Sequence, residues 1–205
     1  MGLEEGGLLL RPPGELRSGP WAGTRFEIVR PFFSILGRTY RVYSQEGALV
    51  LFVRHPLFRL RSEFTLFADE AETQPVLTVK SRRLAAFNME HDLFDAASGR
   101  RLAAVRSRGL SFLVRDAWDL LDDADRVVGQ MIEDGSYLLR RIFKFIPGHH
   151  VIGLGGEEVA HLTQRFRFFT KVFDLELTSA RSPDARFLVA AAILAIMSDV
   201  RREES

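Results

Sequence analysis

Apolar and turn-forming residues alternate along this chain in a unit that recurs five times. Each unit is a short run of β-branched and aromatic residues, a turn rich in Gly, Asp, Ser or Glu, and a second apolar run. Such turn residues tolerate the backbone angles that reverse a strand, so each unit predicts a β-hairpin. The five predicted hairpins span residues 40–53, 64–80, 92–106, 118–132 and 150–163.

Further stretches outside these hairpins also resemble strands. Apolar and polar residues alternate from Phe173 to Leu177, which is typical of a sheet with one buried face. About twelve strands are expected in all, and an open twisted sheet of that size closes or splits. We therefore predict an all-β fold, a closed antiparallel barrel of about twelve strands. The further stretches are residues 84–88, 110–115, 137–146 and 166–177.

The C-terminal stretch breaks this pattern and predicts one helix at about residues 183–200. Ser182 is a suitable N-cap, Pro183 fits the first turn, and Asp184 would lie near the positive end of the helix dipole. Residues 187–197 are apolar on every side, yet this run is shorter than the ~20 residues of a membrane span. Because a closed barrel of this size needs a filling, we expect the helix to lie inside it. Insertion into a membrane is the alternative.

The chain has 205 residues, of which 46% are hydrophobic, enough for one domain with a single core. Residues 23–201 are predicted to form that domain. The stretch before them is rich in Gly, Pro, Glu and Leu, so residues 1–22 are predicted to be a flexible leader. Glu4 and Glu5 do not fit the basic start of a secretory signal.

Charge and cysteine content narrow the classes of function. A formal net charge of +1 offers no general attraction for nucleic acid, so no nucleic-acid partner is expected. The chain has no cysteine, which excludes disulfides, thiolate metal ligands and palmitoyl anchors. A cytoplasmic location is favoured, including peripheral contact at the inner membrane face. Most basic residues are arginine, which suits phosphate recognition, although a GC-rich coding bias would give the same composition.

Three stretches of the chain carry a resemblance to a known group of proteins. They are Tyr40–Tyr43 with Gly47 and residues 49–53, Phe58–Phe67 with Asp69, and the terminal helix from Asp184 to Asp199. In these stretches the chain resembles the tubby C-terminal-like superfamily, which includes tubby proteins, phospholipid scramblases and LURP-one-related proteins. The resemblance extends over about residues 26–201 and is strongest to the LURP-one-related branch. It implies a β-barrel closed around a C-terminal apolar helix.

This resemblance implies a non-enzymatic binding or scaffold protein. Its expected partners are anionic phospholipid, phosphoinositide or another protein, and no cofactor or catalytic residue is expected. The chain departs from scramblases, because it lacks their cysteine cluster and does not match their acidic calcium-binding segment. Two alternatives stay open: a scramblase-like lipid transporter with an inserted C-terminal helix, and an enzyme whose site is assembled from loops.

Seven basic residues near predicted strand ends are candidates for binding lipid headgroups. If they converge on one rim of the barrel, they can bind phosphate through charge-assisted hydrogen bonds. Solvated strand ends are the simpler interpretation, and charges at strand edges also oppose aggregation. The seven residues are Arg82, Arg83, Arg106, Arg108, Arg140, Arg141 and Lys144.

The sequence also contains two groups of residues that are weak candidates for metal binding. The fourth hairpin carries an acidic run that could hold a hard cation such as calcium, but an ordinary turn is favoured because EF-hand spacing is missing. In the fifth hairpin, His149 and His150 are neighbours on one strand and point to opposite faces, so a shared metal ion is not expected. His161 follows on the next strand, and surface histidines are favoured there. The acidic candidates are Asp119, Asp122, Asp123 and Asp125.

Overall fold

The structure of the protein, a computed structural model, describes residues 19–31, 38–55, 63–83, 89–108, 117–133, 148–167, 170–178 and 184–203. Within these ranges the chain forms twelve strands, a short 3-10 helix (Gly19–Trp21) and one α-helix, α1 (Ala185–Glu203). The strands are β1 (Arg25–Pro31), β2 (Arg38–Ser44), β3 (Leu49–His55), β4 (Glu63–Phe67), β5 (Pro75–Arg83), β6 (Met89–Asp95), β7 (Arg101–Ser107), β8 (Ala117–Leu121), β9 (Val127–Glu133), β10 (His149–Leu154), β11 (Glu157–Arg167) and β12 (Thr170–Leu177).

The twelve strands form a closed antiparallel barrel, as predicted. Each strand pairs with its neighbours in sequence, and β1 closes the ring by pairing with β12. In this closing pair Arg25 lies opposite Glu176, and Pro31 lies opposite Thr170. Closure leaves none of the twelve described strands with a free edge, which is how barrels avoid edge-to-edge association.

All five predicted hairpins form, as β2–β3, β4–β5, β6–β7, β8–β9 and β10–β11. Strand β1 lies outside the five predicted hairpins and was not predicted. It pairs with β2 on one side and with β12, from the far end of the chain, on the other. The predicted run at residues 166–177 is divided between the end of β11 and the whole of β12. The other predicted runs, residues 84–88, 110–115 and 137–146, lie outside the described residues.

Helix α1 lies inside the barrel and fills it. Every side chain from Phe187 to Met197 is at most 6% exposed. One continuous cluster of buried side chains joins this helix to residues from all twelve strands. Burial of the apolar helix is therefore confirmed. Among the described residues, no helix combines the length and apolar character needed to cross a bilayer.

The start of α1 differs from the prediction. Asp184 caps the helix, because its Oδ1 accepts a hydrogen bond of 2.9 Å from the backbone N–H of Arg186. The guanidinium of Arg186 also binds Oδ2 of Asp95, at 3.0 Å, beside the turn between β6 and β7. The N-terminal end of α1 is thus tied to the end of the barrel where the five hairpins turn. Ser182 and Pro183 lie outside the described residues.

The expected leader, residues 1–22, includes a part that packs on the barrel. Gly19–Trp21 form the 3-10 helix, and the ring of Trp21 lies 5.6 Å from that of Phe26. Residues 1–18 lie outside the described residues.

The wall of the barrel is most sparsely paired between β3 and β4, where the described residues share one register pair, Phe52 opposite Phe67. Side chains bridge this seam. Arg41 on β2 donates from Nε and Nη2 to the two carboxylate oxygens of Glu70, both at 2.8 Å. This two-pronged bond raises the pKa of Arg41 and lowers that of Glu70. The turn after β4 is thereby fastened over β2 and β3.

We expect Leu194→Asp to unfold the protein. Leu194 is buried in the helix inside the barrel, so the substitution would place an unpaired charge there. That costs several kcal/mol, which is on the order of the whole stability of a domain. Circular dichroism during heating measures the effect. The control is Val127→Asp, at an exposed position on β9, which should fold. A folded, soluble Leu194→Asp protein would contradict burial.

Gly129→Ala should destabilise the barrel by about 1–3 kcal/mol, the usual cost of overpacking. A Cβ at Gly129 would lie 2.1 Å from the carbonyl oxygen of Gly153 and 2.5 Å from Cδ2 of Leu154, so β9 and β10 would have to separate. Urea unfolding measures the loss. Gly153→Ala is the matched control, because its Cβ would meet its nearest atom at an ordinary 3.6 Å. Equal stability losses in both variants would contradict the close approach.

Candidate functional site

A row of alternating charges crosses the outer wall of the barrel from β5 to β8. The strand register places Arg82 opposite Glu90, Glu90 opposite Arg106, and Arg106 opposite Asp119. These four residues are called the charged row. Successive residues of a strand face opposite sides, so neighbours such as His91 turn toward the interior. The row is therefore a feature of the outer wall alone.

Glu90 is the centre of the charged row. Its side chain is fully buried beneath two arginines. Arg106 donates from Nε to Oε2 at 2.6 Å, and Arg82 donates from Nε to Oε1 at 3.0 Å and from Nη2 to the same oxygen. Burial alone would raise the pKa of Glu90, but the hydrogen bonds from Arg106 and Arg82 outweigh it and hold the pKa below its ordinary value.

A third arginine ties the turn between β8 and β9 to this wall. Arg101 on β7 contacts Asp92 at 2.7 Å and Asp125 at 2.5 Å through Nη2. Its Nη1 also donates to the backbone carbonyl of Asp123 at 2.9 Å. Arg101 thus connects Asp92 on β6 to the acidic turn that the sequence marked as a weak metal candidate.

Three of the four acidic candidates, Asp119, Asp122 and Asp125, have carboxylates that are engaged by protein groups. Arg108 contacts Asp119 at 2.7 Å. Asp122 accepts hydrogen bonds from the backbone N–H of Ala124 and of Arg126, both at 2.9 Å, as an ordinary turn residue does. One of these candidates, Asp125, also belongs to a group with Glu90 and Asp92 whose carboxylate oxygens lie within 4.8 Å of one another. Guanidinium groups already lie among these oxygens, so arginine supplies the countercharge there.

The predicted headgroup-binding residues are only partly brought together. Arg82, Arg106 and Arg108 do lie close on one wall, with side chains 50%, 31% and 45% exposed. Each is paired with a carboxylate, so the wall is charge-balanced and is not a positive patch. Sequence reasoning missed Glu90, because its partners are set by register. Outside the described residues lie the side chain of Arg83 and the whole of Arg140, Arg141 and Lys144.

A second polar surface lies on the far side of the barrel, across β1, β2, β11 and β12. An open cleft of about 530 Å³ is lined there by residues that include Tyr43, Arg25 and Arg165. Arg165 donates to Glu27 at 2.6 Å and to Asp174 at 2.7 Å. Both arginines have carboxylate partners, so this cleft also combines both signs of charge.

The histidines separate as strand alternation requires. His150 is buried and faces the interior, whereas His149 faces outward. The structure adds a partner that the sequence did not reveal, because the ring of His149 stacks on that of His161 with centroids 5.2 Å apart.

Comparisons with known proteins bear on the fold. No protein-family model matches the chain, and no curated protein matches it. Among solved structures, the chain is similar to a protein from Arabidopsis thaliana determined by X-ray crystallography. The two share 17% sequence identity with a TM-score of 0.50, over 96% of this chain and 99% of that one. A likeness at this identity concerns the fold, and it extends over nearly the whole of both chains.

Glu90→Gln tests the centre of the charged row. The substitution should lower the free energy of unfolding at pH 7 by about 2 kcal/mol, because charge-assisted hydrogen bonds to two arginines are weakened. A carboxylate with a lowered pKa contributes stability above its ordinary pKa, 4.5 for Glu90, and that contribution is lost as the pH falls through the lower, folded value. The variant should therefore lose less stability than the unsubstituted protein on acidification from pH 5 to pH 3.

Urea unfolding at several pH values measures both effects. Glu63→Gln is the matched control, since Glu63 is half exposed and lies 3.6 Å from Lys80 in a single surface pair. Exposed pairs of this kind contribute little, so the control should change stability by less than about 1 kcal/mol. Identical acid profiles for Glu90→Gln and the unsubstituted protein would contradict the role given to Glu90.

Proposed function

We propose that this chain is a non-enzymatic binding module of the tubby-like type, nearest to the LURP-one-related proteins, that binds anionic phospholipid on its outer wall. The observation that carries the proposal is the filled interior. Because α1 occupies the barrel, with residues 187–197 at most 6% exposed, a ligand is not carried inside as in hollow barrels. Partners are therefore recognised on the outer wall.

The partly exposed arginines on this wall support an anionic ligand. Arg82, Arg106 and Arg108 are held in place by carboxylates beneath or beside them, which limits the entropy lost on binding. A guanidinium has five N–H donors, and the pairings of Arg82 and Arg106 with Glu90 use only some of them. The exposed donors suit the oxygens of a phosphate headgroup.

The outer wall supports shallow, peripheral contact with a membrane. Among the described residues, Val127 is the one large apolar side chain that is exposed. The apolar side chains of α1 are packed inside the barrel, so insertion of this helix would require the barrel to open. Binding through surface arginines alone is weakened by salt, which gives the proposal a measurable signature.

Vesicle co-sedimentation with the full chain tests the proposal. Three vesicle compositions are compared: phosphatidylcholine alone, phosphatidylcholine with phosphatidylserine, and phosphatidylcholine with a phosphoinositide. The protein should sediment with the two anionic compositions and be released as salt increases. The double variant Arg82→Gln/Arg108→Gln should bind about tenfold or more weakly, since each basic residue near an anionic surface contributes about 1 kcal/mol.

The matched control is Arg25→Gln/Arg54→Gln, which removes the same charge from exposed positions on β1 and β3. It should bind nearly as well as the unsubstituted protein. Two results would overturn the proposal: sedimentation that does not depend on anionic lipid, or equal losses in the two double variants.

A further inference from the structure

Two histidines meet on the outer wall, away from the charged row. His149 lies on β10 and His161 on β11, and both side chains are partly exposed. Their rings are stacked at an interplanar angle of 26°. Nε2 of His149 lies 3.3 Å from Nδ1 of His161. One nitrogen of each ring therefore faces the other ring.

The remaining nitrogen of each ring is held by an oxygen. Nδ1 of His149 lies 2.8 Å from Oγ1 of Thr163, and Nε2 of His161 lies 2.6 Å from Oε1 of Glu158. Partners of this kind set the orientation of a histidine ring, and a carboxylate also makes the opposite nitrogen a better electron-pair donor. The two facing nitrogens are thus oriented by contacts on the far side of each ring.

A β-bulge creates this pairing. The turn at Gly155 and Gly156 begins a register in which Leu154 lies opposite Glu157, and continuing that register would put His161 opposite His150. The register shifts by one residue beyond Gly153, so His161 lies opposite Val151. Because alternate residues share a face, His161 then lies beside the outward-facing His149.

The distance between the facing nitrogens matches the geometry of a metal ion. Two nitrogens bound to zinc at about 2.0–2.1 Å in a tetrahedral arrangement lie about 3.3–3.4 Å apart. The observed separation is 3.3 Å. Without an ion, one of the two facing nitrogens, Nε2 of His149, carries a proton and donates a hydrogen bond to the other. This bond is part of a chain of hydrogen bonds that runs from Thr163 through both histidines to Glu158. A metal ion would take the place of that proton on Nε2 of His149. The proton would then move to Nδ1 of the same ring, where Oγ1 of Thr163 accepts it, so that both rings bind the ion as neutral imidazoles.

We propose that His149 and His161 bind one divalent transition-metal ion of the zinc class, through Nε2 and Nδ1 respectively. Neutral imidazole nitrogens favour zinc, nickel and copper over calcium and magnesium. Glu158 and Thr163 act as positioning residues that orient the two rings. The coordination positions that the histidines leave open face solvent, because His161 is 27% exposed, and they accept water or a donor from a partner molecule.

Titration of the untagged full chain with Zn²⁺, after treatment with a chelator, tests the site. Calorimetry should detect one saturable site per chain, and Zn²⁺ should raise the melting temperature in a concentration-dependent way. Co²⁺ bound at the same site should show the visible absorption of a low-symmetry complex, and Zn²⁺ should displace it. His149→Gln and His161→Gln should each weaken Zn²⁺ binding at least tenfold.

Variants at the carboxylates distinguish positioning from general charge. Glu158→Ala should weaken Zn²⁺ binding about tenfold, as the loss of a ring-orienting partner does. The adjacent, exposed Glu157→Ala is the matched control and should bind as the unsubstituted protein does. Circular dichroism verifies that every variant is folded.

The proposal is overturned if the unsubstituted chain binds neither Zn²⁺ nor Co²⁺ saturably, because the histidines then serve only the hydrogen-bond chain. It is equally overturned if both His149→Gln and His161→Gln retain full affinity. A loss in Glu157→Ala equal to that in Glu158→Ala would contradict the positioning role of Glu158.

Discussion

Everything in this structure depends on the packing of an apolar helix inside a closed sheet. A helix satisfies its own backbone hydrogen bonds, so α1 presents only side chains to the inner faces of the strands. Those side chains belong to one buried cluster that includes residues from all twelve strands. The sheet closes around the helix, and the helix supplies the core that no pair of neighbouring strands could form alone.

The filled interior places the chemistry of the protein outside. Buried polar groups need partners, and the carboxylate of Glu90 finds them in two arginines of the neighbouring strands. The same rule orders Asp174 beneath Arg165. On the surface, Arg41 fastens the turn after β4 through its exposed pair with Glu70. Arginine is thus used throughout the wall as a bridge between strands. Its partly exposed guanidinium groups are also what the proposed phospholipid binding would use.

The candidate sites show how far sequence reasoning reaches. The sequence identifies three of the candidate arginines, because charged residues at predicted strand ends are visible in it: Arg82, Arg106 and Arg108. It does not reveal that these arginines pair with carboxylates. Pairing depends on register, and register is a relation between strands. The histidine pair is the clearer case. A one-residue shift in the register of β10 and β11, beyond Gly153, decides whether His161 lies beside His150, which faces inward, or beside His149, which faces outward. Strand alternation alone correctly separated His149 from His150.

The sequence by itself determined the five hairpins and the apolar helix, because turn residues and hydrophobic periodicity act between near neighbours in the chain. Only the tertiary structure decided that residues 25–31 form strand β1, that this strand closes the ring by pairing with β12, and that Asp184 caps α1. It also joined groups such as Glu27 and Arg165, which are 138 positions apart in the chain. Such contacts leave no local pattern, since they exist only when the whole sheet has closed around its helix.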